Sequence, residues 1–233
     1  MDTWLELAKG PIFQFAFLFM VLGLLRHLIV TLIGTVQTLR RASNKIMPYK
    51  AIFKDTLQWL IPIGKVKGNP FFSGSSIVMH IGMIIVPVFL FSHVALWKQS
   101  TGVSWPALNL FLSDLLTLLT VAALFALLAL RIVSKDGRAL SRFEDYFLLI
   151  LLAVPFISGY LALHPTLNPF AYKSTMLVHI LSANLIFILM PITKLSHVVL
   201  MPGSQLVSEV AWHFPKNSGR NVATALHKEE EPI

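Results

Sequence analysis

Apolar residues run along this chain in long uninterrupted blocks, without the period-2 alternation of a half-buried strand or the single apolar stripe of a soluble helix. A bilayer core of about 30 Å takes about 20 apolar residues as helix. Five blocks reach that length: 11–36, 75–97, 106–133, 143–163 and 174–201. They predict an all-α fold, an integral membrane five-helix bundle over residues 1–201, with a tail at 202–233. Punctuation falls between the blocks. Ser141-Arg142-Phe143-Glu144 reads as a capping box opening the fourth span. Lys135-Asp136-Gly137 reads as a turn, and Pro202-Gly203 as the stop of the fifth span. Residues 1–10 lack the basic start and small-residue cleavage site of a signal peptide, so the first span is expected to be retained. No internal repeat stands out.

Composition agrees with the pattern. The chain of 233 residues is 55% hydrophobic and 13% charged, against about 45–50% and about 25% for a soluble domain. A water-soluble globular enzyme is excluded on that ground. The absence of cysteine excludes disulfides, iron–sulfur clusters, covalently attached c-type haem and a Cys zinc site on this chain. The net charge of +8 is unevenly placed. Arg40, Arg41, Lys45, Lys50, Lys54, Lys65 and Lys67 crowd the first loop against Asp55 alone, and Arg131, Lys135, Arg138 and Arg142 flank the third. The N-terminus and the other two loops carry Lys9, Lys98 and Lys173. The positive-inside rule then puts the N-terminus outside and the C-terminus in the cytoplasm. The charge is accounted for by topology, and no nucleic-acid partner is expected. Within the basic loop, residues 53–60 have the character of a helix lying on the membrane surface or docking a partner. The Lys228-Glu229-Glu230-Glu231 run reads as a solvated tail.

Ionisable groups inside spans are costly and usually functional. Four histidines lie in two of the spans: His80 and His93 in the second, His179 and His197 in the fifth. The two spans run in opposite directions. Depth therefore matches His93 with His179 on the outer side and His80 with His197 on the inner. Two imidazoles at one depth on facing helices can supply the two axial nitrogens of a haem, so the pattern predicts two haems, with a metal or proton-transfer role as the alternative. His179 and His197 are 18 residues apart, five full turns, which puts them on one face about 27 Å apart along a straight helix. His80 and His93 are 13 apart and fall on different faces of an ideal helix, so a kink is expected at Pro87 between them.

Further candidates surround this set. Arg26 and Lys194, on the inner side, either neutralise haem propionates or snorkel to the interface. His27 reads as a packing residue. Asp114 either exchanges a proton or is a water-exposed end group. His164 and Lys98 are candidate hydrogen-bonders of a quinone or else interface residues. Trp97, Trp105 and Tyr172 form an expected outer aromatic belt.

The stretch from His179 through Pro191, Thr193 and Lys194 to His197, followed by Pro202, resembles the last helix of the respiratory nitrate reductase gamma-subunit family. That family shows His, 17 residues, His, with a Pro-x-Ser/Thr-Arg/Lys-Leu-x-His ending. The resemblance covers nearly the whole membrane part. It implies a di-haem b membrane subunit, with His80, His93, His179 and His197 as ligands, exchanging electrons with a quinone pool. In the nitrate reductase branch, however, the second-span histidines lie closer together and follow a shorter loop. The spacing of His80 and His93 and the long basic loop with Trp59 and Pro62 are more similar to the sister branch found in sulfite-reduction-associated and heterodisulfide-reductase-like membrane complexes.

On that resemblance, menaquinol is the expected substrate near the outer haem, and a cytoplasmic iron–sulfur subunit of heterodisulfide-reductase type the expected partner. Further membrane subunits and a periplasmic multihaem cytochrome c complete the expected assembly, in a prokaryotic inner membrane. The chain would be the quinone-reactive part of an oxidoreductase, without the terminal acceptor's catalytic site. The alternatives are a gamma subunit serving a nitrate-reductase-type molybdoenzyme and, from another class, a non-redox membrane anchor or transporter.

Overall fold

The computed structural model describes residues 1–41, 48–60, 69–211 and 218–230. Lys45, Pro62, Lys65, Lys67 and Glu231 lie outside the described residues, as do the side chains of Arg41 and Trp59. The described residues are helical and include no strand. Five helices are long and apolar enough to cross a membrane: Asp2–Arg40, Pro70–Phe89, Leu110–Val133, Phe143–Leu163 and Tyr172–Leu189. Their exposed surfaces are apolar, with Leu18, Leu22, Ile29 and Leu32 of the first among many examples. In water such surfaces would aggregate; in lipid they are solvated. The chain is a multi-pass membrane protein.

It divides into two compact units, 1–15 with 64–186 and 16–63 with 187–233. In the first unit α1 (Asp2–Leu7) passes through a π-helical turn, Ala8–Ile12, which accommodates Pro11. Then follow α4 (Pro70–Phe89), α5 (Phe91–Thr101), α6 (Leu110–Val133), the short α7 (Lys135–Leu140), α8 (Phe143–Leu163) and most of α9 (Tyr172–Leu189). The second unit holds the rest of α2 (Phe13–Arg41), α3 (Tyr49–Leu60), α10 (His197–Ala211) and α11 (Ser218–Ala225).

In the first unit α6 packs against both α4 and α8. Its buried positions include Ser113, Thr117 and Thr120. Each hydroxyl donates to the carbonyl four residues earlier, at 3.0, 2.7 and 2.6 Å. The polar atoms are thus satisfied inside their own helix, and small residues let neighbouring backbones approach. Gly82 of α4 meets Thr120 so closely that a Cβ there would overlap its hydroxyl. Gly82→Ala is expected to cost about 1–3 kcal/mol through overpacking. Thermal unfolding in detergent checks this: the transition should fall by several degrees, and Thr120→Ala should recover part of the loss. On α9, buried Asn184 donates to the Ala8 carbonyl at 3.0 Å, and Lys173 pairs with Asp2 at 2.6 Å. Both contacts tie the N-terminal turn to α9.

Several expected boundaries differ. Residues 143–163 form a helix as predicted, but the cap lies one residue later than Ser141: the Asp145 carboxylate accepts from the Arg142 amide at 2.8 Å. Ser141 instead takes a hydrogen bond from Arg131. The expected turn at 135–137 is the start of α7, because the Ser134 hydroxyl accepts from Gly137 and caps it. Pro202 and Gly203 do not stop the chain; they lie inside α10. Residues 202–211 are therefore helix and not tail. At the start of a helix's second turn a proline sacrifices few backbone bonds, and Gly203 seats Thr31 of α2 where a side chain would clash. Residues 53–60 do form a helix, within α3, which packs on α10. Ile52 and Thr56 are buried, while Tyr49, Phe53 and Leu57 form an exposed row at a spacing of four.

Candidate functional site

The second and fifth predicted spans are both interrupted, and the interruptions place the histidines. α4 stops at Phe89, Leu90 is extended, and α5 begins at Phe91. The expected kink at Pro87 is a full break three residues later. A break inside a membrane must find new donors for the carbonyls it strands. Each of the last four carbonyls of α4 is served. Val86 accepts from the Leu90 amide at 3.0 Å and Phe89 from the Leu108 amide at 2.9 Å. Val88 accepts from the Trp105 indole N–H at 2.9 Å, and Pro87 from Nδ1 of His93 at 2.9 Å. An unbroken helix would have offered Pro87 the Phe91 amide. His93 takes that role, and doing so fixes its ring. The face argument for His80 and His93 on one continuous helix therefore does not apply.

The fifth span breaks at Pro191, which has no amide to give and clashes with the carbonyl four residues back. α9 ends at Leu189, a 3-10 turn covers Lys194–Ser196, and His197 opens α10. The expectation of five continuous turns between His179 and His197 is overturned. In the second unit, α2 holds this break. Gly23 leaves room for the Pro191 ring, which a Cβ would strike, and one turn later His27 Nε2 donates to the Pro191 carbonyl at 2.7 Å. His27 is the packing residue it was expected to be. Arg26 is exposed on α2 and Lys194 exposed in the 3-10 turn.

His93 and His179 meet within the first unit. Their ring centres are 6.1 Å apart and their planes 22° from parallel. His179 Nδ1 donates to the Pro155 carbonyl of α8 at 2.8 Å. One turn on, Gly159 has no side chain, and a Cβ there would lie 2.9 Å from Cε1 of His179. Pro155 and Gly159 thus make a socket for the ring. With the Nδ1 proton of each ring donated to a backbone carbonyl, Nε2 is the lone-pair nitrogen. Among the described residues neither Nε2 has a hydrogen-bond partner.

Two imidazoles that ligate one metal from opposite sides have a defined separation of ring centres. With about 2.0–2.1 Å from nitrogen to metal and about 1.1 Å from ring centre to nitrogen, the two centres would stand about 6.2–6.4 Å apart. The observed separation differs by a few tenths of an ångström. A bare ion would need more ligands, and among the described residues no group of three or more His, Asp or Glu is placed to hold one. A haem, which brings four nitrogens of its own, fits a site with two.

His80 belongs to the first unit and His197 to the second. Both share the device seen at His93 and His179. His80 Nδ1 donates to the Ser76 carbonyl and His197 Nδ1 to the Lys194 carbonyl, each at 2.7 Å. All four histidines thus present Nε2 as the basic nitrogen.

His164 differs. Its Nδ1 bonds the Tyr160 carbonyl at 2.9 Å, its Nε2 bonds Asp114 Oδ2 at 3.1 Å, and its ring stacks on Tyr160 with centres 4.2 Å apart. Asp114, the proton-exchange candidate, and His164, a quinone candidate, are thus brought together, at the ends of α6 and α8. Lys98 is exposed in the last turn of α5, and among the described residues it bonds neither. Trp97 and Trp105 lie 6.2 Å apart, and Tyr172 is exposed. The socket residues Pro155 and Gly159 were not anticipated; their spacing of four on one helix face was the available signal.

An all-helical membrane protein with a pair of ring-fixed histidines defines the class. The chain belongs to the same family as a protein of Nitratidesulfovibrio vulgaris (strain Hildenborough). The two are 34% identical over 198 residues, covering 82% of this chain and 85% of the relative. No protein-family model and no solved structure matches the chain.

Proposed function

We propose that the chain is a di-haem b subunit of a respiratory complex in a prokaryotic cytoplasmic membrane, N-terminus outside, exchanging electrons between menaquinone and a cytoplasmic iron–sulfur subunit. The observation that carries this reading is the His93–His179 pair, near-parallel rings with centres 6.1 Å apart and both Nδ1 atoms tied to backbone. His93 and His179 hold the outer haem, and His80 and His197 the inner. Haem supplies reversible one-electron transfer at a potential set by its ligands and surroundings.

The chain's own contribution is ligation and orientation. Backbone bonds at Nδ1 fix the tautomer and raise the basicity of Nε2. Arg26 and Lys194 offset propionate charge. Menaquinol binds at the outer end of the first unit, where Asp114 and His164 lie. The iron–sulfur subunit, of heterodisulfide-reductase type, docks on the basic cytoplasmic loop that includes Lys50 and Lys54.

The absorption spectrum of the purified protein tests the reading. Dithionite-reduced minus oxidised spectra should show b-type bands, and pyridine haemochrome analysis two haems per chain. A protein without reducible bands would be an anchor or transporter instead. A molybdenum subunit co-purifying in place of the iron–sulfur protein would move it to the nitrate-reductase-type branch.

A further inference from the structure

The Asp114–His164 contact fixes a proton count. A backbone carbonyl only accepts, so His164 Nδ1, 2.9 Å from the Tyr160 carbonyl, must carry a hydrogen. A neutral imidazole protonated there has a lone pair at Nε2, and a carboxylate offers lone pairs only. Two acceptors do not bond. A hydrogen bond across the 3.1 Å Nε2–Oδ2 contact therefore requires one additional proton, on nitrogen or on oxygen. With it the pair is neutral as a whole; without it the pair carries one negative charge. Both side chains are less than a quarter exposed, at 22% and 23%. The residual exposure leaves a route to water. The Tyr160 ring, stacked on His164, keeps the imidazole in place in either state.

α8 also connects this pair to the histidine site. Gly159 touches His179, and His164 lies five residues on, about 7.5 Å of helical rise.

We infer that Asp114 and His164 form a one-proton loading site that takes the hydroxyl proton of a quinol bound at this end of the first unit and gives it to outside water. In the step, a quinol O–H bond breaks and its proton comes to rest between Nε2 and Oδ2. Once that proton has passed to outside water, the proton of the second hydroxyl takes the same route, and the two electrons leave singly to an oxidant of the haem class. The emptied, negative pair is the accepting state; the neutral pair is the loaded one. The inference rests on the quinone-reactive reading above.

Two measurements that need no haem test it, on the full chain in nanodiscs at neutral pH. Infrared spectra with isotope-labelled histidine should contain an imidazolium or carboxylic-acid band that disappears in both Asp114→Asn and His164→Gln. Fluorescence titration with the quinol analogue 2-heptyl-4-hydroxyquinoline N-oxide should give an affinity at least about tenfold weaker in each variant, the size of one hydrogen bond to a charged group. A wild-type spectrum without that band, or variants binding the analogue as the wild type does, would overturn the loading site. Absence of b-type bands would instead sink the haem reading, and the two failures are separable.

Discussion

His179→Ala is expected to remove one of two haems, leaving roughly half of the b-type absorbance, with the protein still folded in detergent. His93→Ala should remove the same haem, and the double variant should lose no more than either single. Residues that act as one unit are not additive, and the proposed ligation of one haem by both rings, whose centres are 6.1 Å apart, would make them such a unit. His80→Ala and His197→Ala should each remove the other haem. His164→Ala is the internal control. Both of its ring nitrogens are already engaged, by Tyr160 and Asp114, so both haems should remain. Exogenous imidazole should restore part of the lost band in His179→Gly, where the vacated socket beside Gly159 can admit it. Retention of both haems in His179→Ala, with size-exclusion behaviour unchanged, would refute the pairing.

The spans were legible because lipid imposes a length and an apolarity that blocks of sequence must meet; residues 143–163 fall on α8 end to end. The nearness of His93 to His179 was legible too, since depth order follows from counting residues along antiparallel spans. What the sequence hid is how the rings are held. Pro87 and Pro191 announce disturbance, yet they do not say that the chain will break at Leu90 or that α9 will end at Leu189. That depends on remote donors: Trp105 and Leu108 for the carbonyls of α4, and His27 for the Pro191 carbonyl. The winding argument for His179 and His197 failed for the same reason, because it assumed one helix where a proline makes two elements. The two units also divide α9 between Ile186 and Phe187, so no rule of periodicity along that span could have placed His197.

Gly159 is the sharpest consequence of what the sequence left unread, because it allows the outer site to be disturbed without touching a ligand. A Cβ at Gly159 would lie 2.9 Å from Cε1 and 3.0 Å from Nδ1 of His179, while carbon atoms prefer about 3.5–4.0 Å. Gly159→Ala therefore pushes the ring away from α8 by about half an ångström. The ring is held to the Pro155 carbonyl of that same helix at 2.8 Å, so the push stretches this bond toward the limit of a useful one. The expected outcome is a retained haem with altered ligand geometry: a shifted midpoint potential and a displaced low-spin electron paramagnetic resonance signal, with the other haem unchanged. Gly159→Leu fills the socket and should expel the ring, losing the same haem as His179→Ala although all four histidines remain. A graded series from glycine through alanine to leucine, confined to one haem, separates positioning from general destabilisation, which would weaken both haems together. A Gly159→Leu protein with two unperturbed haems would mean that His179 is seated some other way.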